Sequence, residues 1–261
     1  LAGTKGIATG GSALNLVTAD LDLTGGRTLN STAGKITITE SNGDGIGLGT
    51  ALGAGSVLDL ADAELANVTS GDLELISAGK ITVNGVTAGN TANIAGTTTL
   101  DGGGEIEFST GASVFTNALT VEADDVADLQ QDVTTNAGNL AIDGDANDAD
   151  DGGADNVAIA NGVTLAAGSA LSLDAGANGD LVGAGTVTLN AASGVTISDS
   201  MTTGNNLTVD ADSDASGNDG TFTVVAGKTV AVTGAFGVTA NDVDLSGALS
   251  ATAASTITDS D

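Results

Sequence analysis

The chain has 261 residues, 34 acidic against 5 basic, and no proline, cysteine, histidine, tryptophan or tyrosine. A formal charge of −29 repels phosphate backbones and anionic lipid surfaces, which argues against nucleic-acid binding and membrane association. Nor does any apolar run approach the roughly 18 residues that a membrane-spanning helix needs.

In chain order, short apolar-x-apolar segments rich in β-branched residues recur from end to end. They run "LNLV" 14–17, "LDL" 21–23, "ITI" 36–38, "IGL" 46–48, "VLDL" 57–60, "LELI" 73–76, "ITV" 81–83, "IEF" 106–108 and "LTV" 119–121. Then come "LAI" 140–142, "VAI" 157–159, "VTL" 163–165, "LSL" 171–173, "VTL" 187–189 and "VTI" 195–197. The series closes with "LTV" 207–209, "FTV" 222–224, "VAV" 230–232, "FGV" 236–238 and "VDL" 243–245. Period-two alternation predicts strands with one face buried and one exposed. Gly, Asn, Asp, Ser and Ala fill the intervals, as tight corners require. Helix is weakly supported; "SVLDLADAELANVTS", 56–70, is the best candidate for a turn or two, although its "LDL" also reads as strand.

Short strands at close, near-regular spacing predict a repeat architecture, an all-β parallel solenoid of about ten to thirteen coils with three strands per coil. One such segment spans residues 1–261, with acidic loop insertions near 143–156 and 210–220. A core built almost without aromatics suits a narrow, layered interior; only Phe108, Phe115, Phe222 and Phe236 supply bulk. The alternative is one or two β-sandwiches, whose strands run longer and whose cores usually hold Trp or Tyr. The start at Leu1, without a charged region and apolar signal core, is expected of a piece of something longer.

The stretches "LVTADLDLTGGRTLNSTAGKITITESNGDGIGLGT", 16–50, and "LDLADAELANVTSGDLELISAGKITVNGVT", 58–87, resemble the repeats of filamentous-haemagglutinin-like bacterial surface proteins. The motif "VTADLDLTG", 17–25, returns as "VTANDVDLSG", 238–247, and more loosely as "TVEADDVADL", 120–129. The resemblance implies a right-handed parallel β-helix from a secreted protein at a bacterial surface, acting as an adhesin shaft or extracellular filament subunit. It implies partners of two kinds: neighbouring β-helix repeats or further copies, and a host or matrix ligand. Binding target is hardly specified by such motifs.

Catalysis finds little material. Without His, Cys or Tyr the usual nucleophile–base pairs and imidazole metal sites cannot be built. Carboxylate pairs remain, but in so acidic a chain a glycosidase-like separation arises by chance. Lys35 and Lys80 each open a "GK-I-T" segment, which reads as a repeated structural corner. "TTT" 97–99 and "TIT" 256–258 are isolated, so an ice-binding threonine ladder is not indicated. "NGDGIGLG", 42–49, matches a calcium β-roll nonapeptide in part and does not repeat.

Two acidic loops are the sharpest chemical feature. "NLAIDGDANDADDGGADNVAIANGVTL", 139–165, aligns with "NLTVDADSDASGNDGTFTVVAGKTV", 206–230: strand, acidic loop, strand, "A-x-G", strand. The first carries Asp143, Asp145 and Asn147 at alternate positions; the second carries Asp210, Asp212 and Asp214. Alternating oxygen ligands before a turn are how a D-x-D-x-D loop wraps a hard cation. Asp150, Asp151 and Asp155, or Asn218 and Asp219, are the residues expected to complete the shell. An EF-hand is excluded, because Asp148 or Ala215 stands where its glycine belongs and Ala154 or Thr221 where its bidentate Glu belongs. No cofactor is required, and calcium is the cation these residues fit. The alternative is that both loops are solvated insertions whose charge keeps the protein soluble.

Overall fold

The computed structural model describes residues 5–49, 57–149, 154–216 and 219–260. Among them the chain is all-β, with thirty short strands and two single-turn helices. Every strand pairing is parallel. The first sheet has ten strands, Leu14–Thr18, Ile36–Glu40, Leu73–Ser77, Thr98–Gly102, Leu119–Ala123, Leu140–Asp143, Leu171–Asp174, Val195–Ile197, Thr221–Val224 and Asp242–Leu245, in chain order. A second sheet also has ten strands and a third has seven. From Ile106 onward the chain visits second, third and first sheets in strict rotation, advancing one strand in each sheet per pass. Parallel strands in stacked sheets are consistent with the expected solenoid.

Register explains the composition. Leu75, Leu100, Val121, Ile142, Leu173, Ile197 and Val224 are successive partners in the first sheet, and all are buried. Parallel neighbours lie about 4.8 Å apart, so each inward side chain stacks on its own equivalent and branched aliphatics fill the layer. The buried residues of these three sheets, with Leu29 and Val68 of a fourth, three-stranded sheet (Gly6–Ala8, Thr28–Asn30 and Val68–Thr69), form one cluster. Phe222 of the first sheet meets Phe236 of the third with ring centroids 5.7 Å apart, so these two sheets share an interior.

Corners are held by side-chain amides and carboxylates that reach one pass ahead. Asp72 accepts the N–H of Thr97 (2.8 Å), Asp132 that of Thr164 (2.7 Å), Asn156 that of Asp180 (2.8 Å), Asn161 that of Thr186 (2.8 Å) and Asn206 that of Ala235 (2.9 Å). A corner N–H that no strand ladder serves is thereby satisfied. Lys35 and Lys80 do open such corners: Lys35 pairs with Glu74 (2.6 Å) and Lys80 with Glu105 (2.8 Å) and Glu107 (2.6 Å), each on the following pass.

The first eighty residues depart from the rotation. Leu58–Ala61 pairs with Ile46–Gly49 on the side away from Ile81–Asn84, so the chain steps one layer backward before resuming. Of the segment 56–70, the described residues from 57 onward hold the strand Leu58–Ala61, one helical turn, Asp62–Leu65, and the two-residue strand Val68–Thr69. "LDL" 21–23, expected as strand, is not one. Glu64 explains it: its buried carboxylate accepts the Leu23 N–H at 2.6 Å and the Ala61 N–H at 3.0 Å, while Asn67 donates to the Leu23 carbonyl at 3.1 Å. Side chains from the returning segment take over the hydrogen bonds that a strand partner would have made.

Candidate functional site

The acids expected to wrap one cation point in three directions. Asp143 ends the strand Leu140–Asp143 with its side chain half-buried on the outer face. Asp145, two residues on, turns into the interior and is 1% exposed. Asn147 is exposed and folds back on its own turn, its Oδ1 accepting the Ala149 N–H at 2.8 Å. Asp155 is buried in a left-handed backbone conformation, φ 50°. Asp150 and Asp151 lie outside the described residues, as does Asn218.

The second loop repeats this layout in a different sheet. Asp210 ends the third-sheet strand Leu207–Asp210, Asp212 is buried at 2% exposure, and Asp214 is exposed with its carboxylate accepting from the N–H (3.2 Å) and hydroxyl (2.8 Å) of Ser216. Asp219 is exposed beyond the turn. Among the described residues no three carboxylates, imidazoles or thiolates are gathered closely enough to form a ready-made metal cage. Alternation in sequence fails to converge because the first acid still belongs to a strand and the second begins the turn.

What the sheet gathers instead is a carboxylate column. Asp101 pairs in register with Glu122, Glu122 with Asp143, and Asp143 with Asp174, so four acids stand on consecutive strands of one outer face. Glu122, Asp143 and Asp174 border a shallow groove of about 200 Å³ lined also by Thr120, Ala141 and Ser172. Burial pushes the Asp101 carboxyl up, helped by the charges of Asp124 and Glu74 and opposed by Lys35. Glu122 is raised by burial and then by Asp101, Asp143 and Glu74. Asp143 is raised by burial, against the Asp145 N–H that it accepts, and further by Asp174, Asp145 and Asp148. The column therefore concentrates negative charge where solvent screens it incompletely.

Sequence reasoning centred on the loops missed this column. Its signal was the ending apolar-acid-small, shared by "LDG" 100–102, "VEA" 121–123, "IDG" 142–144 and "LDA" 173–175. It also missed Asp199, which is buried and pairs with Lys228. Chemically, the column and its adjoining turn attract cations. Scanned against protein-family models, curated proteins and solved structures, the chain finds no match in any of the three.

Proposed function

We propose that the chain is a length of right-handed parallel β-helix serving as the shaft of a secreted bacterial surface protein, giving mechanical reach and display without catalysis. The observation that carries this reading is the parallel register: two sheets of ten strands over a common core, each adding one strand per pass from Ile106 onward. Ten layers at about 4.8 Å make a rod on the order of 45 Å long. Each internal layer covers the strand edges of its neighbours. Pulling along such an axis loads many backbone hydrogen bonds and the core together, which suits a stalk. The resemblance to filamentous-haemagglutinin-like repeats supports the same role.

Adhesion through Phe-rich surface contacts is not favoured, since all four phenylalanines are buried. The inward positions of the last described pass, Leu245 (41% exposed) and Ile257 (60%), suit cover by a further parallel layer. That layer is supplied in this reading by neighbouring repeats or a second copy. The test is immunogold labelling of intact producing cells with antibodies raised against this chain. Gold particles standing off the outer surface are expected. Labelling that appears only after cells are permeabilised would overturn the proposal.

A further inference from the structure

The two acidic turns share one backbone. In each, the first acid accepts the N–H of the second: Asp143 from Asp145 at 3.1 Å, Asp210 from Asp212 at 3.3 Å. The carbonyl of the second acid then accepts an N–H three residues on, from Asp148 at 3.2 Å or Ala215 at 3.0 Å. Those residues are left-handed, with φ 55° and 48°. The residue after the second acid donates back to the preceding pass, Ala146 to Ala123 and Ser213 to Ala191. One turn design, used at two different corners, drives an aspartate side chain inward both times.

The surroundings of that aspartate set it apart from buried Glu40, Glu64 and Asp199. Glu40 accepts the N–H groups of Asn42 and Gly43, Glu64 those of Leu23 and Ala61, and Asp199 pairs with Lys228. Among the described residues, Asp145 has no hydrogen-bond donor on either carboxylate oxygen, and Asp212 has none on Oδ1, its Oδ2 accepting from the Ser260 hydroxyl at 2.6 Å. A buried carboxylate without a donor or counter-charge is strongly disfavoured, so a missing partner is implied. The carbonyl and Oδ2 of Asp145 both face Gly176 of the next pass, 2.4 and 2.8 Å from the point its Cβ would occupy, a space glycine leaves open. Asp148 holds that pass in place, accepting the Ala177 N–H at 2.9 Å and, through its carbonyl, the Asn178 amide at 3.2 Å.

We propose that Asp145 seeds a calcium site, with its own carbonyl and the adjoining Asp143 and Asp174 carboxylates as further ligands, and that Asp212 seeds a second in the duplicate turn. The donors are all hard oxygens, which suits calcium and excludes a thiolate- or imidazole-seeking metal. Mixed carboxylate and carbonyl ligation at irregular angles favours calcium over magnesium. Because no three carboxylates stand ready as a cage, the half-buried Asp143 and Asp174 side chains rotate toward Asp145 as the ion arrives. Such a site belongs to the weak extracellular range of about 0.1–1 mM.

The test is thermal unfolding of the whole chain after exhaustive dialysis against chelator. It compares about 5 mM calcium, magnesium, and sodium at matched ionic strength, well above the expected dissociation constant. Calcium is expected to raise the wild-type melting temperature by about 5 °C more than magnesium does. Asp145→Asn and Asp212→Asn each lose about half of that rise, the double variant all of it, and the exposed Asp44→Asn none. Without calcium, Asp145→Asn melts no lower than wild type, because it removes an unsatisfied charge. Equilibrium dialysis with radioactive calcium is expected to count two ions per chain, one in either single variant. An equal calcium shift in wild type and double variant would mean surface screening only, and no calcium-specific shift would mean that the two turns hold no calcium. Either result overturns the proposal.

Discussion

Asn161 reaches across one pass to accept the N–H of Thr186 at 2.8 Å, and the same amide oxygen lies 2.1 Å from where a Cβ on Gly185 would stand. The corner thus needs both the amide and the glycine beneath it. Asn161→Ala leaves the Thr186 N–H without its partner and is expected to cost about 1 kcal/mol. Gly185→Ala clashes with the amide and is expected to cost about 1–3 kcal/mol. The two changes are coupled, since removing the amide removes the obstacle. Urea unfolding of both single variants and the double variant checks this; the double is expected to be more stable than the sum of the singles implies.

Phe222 and Phe236 meet across the interior at 5.7 Å, and both are buried. In a core made largely of aliphatic columns they fill space that two small residues could not. Phe222→Ala is expected to cost about 3–5 kcal/mol through lost burial and a residual cavity. Phe222→Leu, which keeps most of the volume, is expected to cost less than about 1.5 kcal/mol. Midpoints of chemical unfolding at unchanged slope distinguish the two outcomes.

How much of this was legible in the sequence follows from where apolar residues sit. Segments with two inward aliphatics, such as "LTV" 119–121 or "VTI" 195–197, are strands as read. Ser113–Phe115, Val133–Thr135 and Met201–Thr203 were passed over because a hydroxyl takes one inward position. Those hydroxyls are buried yet satisfied: Ser113 accepts from the Val86 N–H, and Thr135 and Thr203 donate locally, to the Gly138 and Asn205 carbonyls. The pairing of the acidic loops was legible as alignment. The inward turn of Asp145 was not, because it depends on a strand ending at Asp143 that alternation alone cannot place. The carboxylate column was hidden for a related reason: it exists only once register is known.

The column makes stability depend on pH. Asp101 and Glu122 are raised above their usual 3.8 and 4.5, chiefly by burial. The native state therefore binds protons more tightly than the unfolded chain at these sites. Their contribution is fully present below the unfolded values and is lost as pH rises through the folded ones. From neutral pH downward the melting temperature is expected to rise, reversing only when acids whose folded values are lowered begin to protonate. Asp22, held low by hydrogen bonds from Thr24 and by Arg27, belongs to the latter group. An Asp101→Asn, Glu122→Gln variant is expected to flatten the rise, as read from melting curves in chelator between about pH 4 and pH 8. A profile with unchanged slope would remove the column as its cause.

The last prediction concerns Asp199 and Lys228, which pair one pass apart. The aspartate side chain is 4% exposed and the lysine 35%, so the acid bears most of the desolvation and the lysine compensates it from the rim. Lys228→Met strands the buried charge and is expected to cost about 2–3 kcal/mol, below the range for a fully buried pair because the ammonium is partly solvated. Asp199→Asn removes the charge itself and is expected to cost about 1 kcal/mol or less. Combining them is expected to be milder than Lys228→Met alone, since the stranded carboxylate is gone. Unfolding midpoints of the three variants decide the matter. If Lys228→Met and Asp199→Asn cost the same and add, the two groups do not interact, and the corner owes nothing to its buried charge.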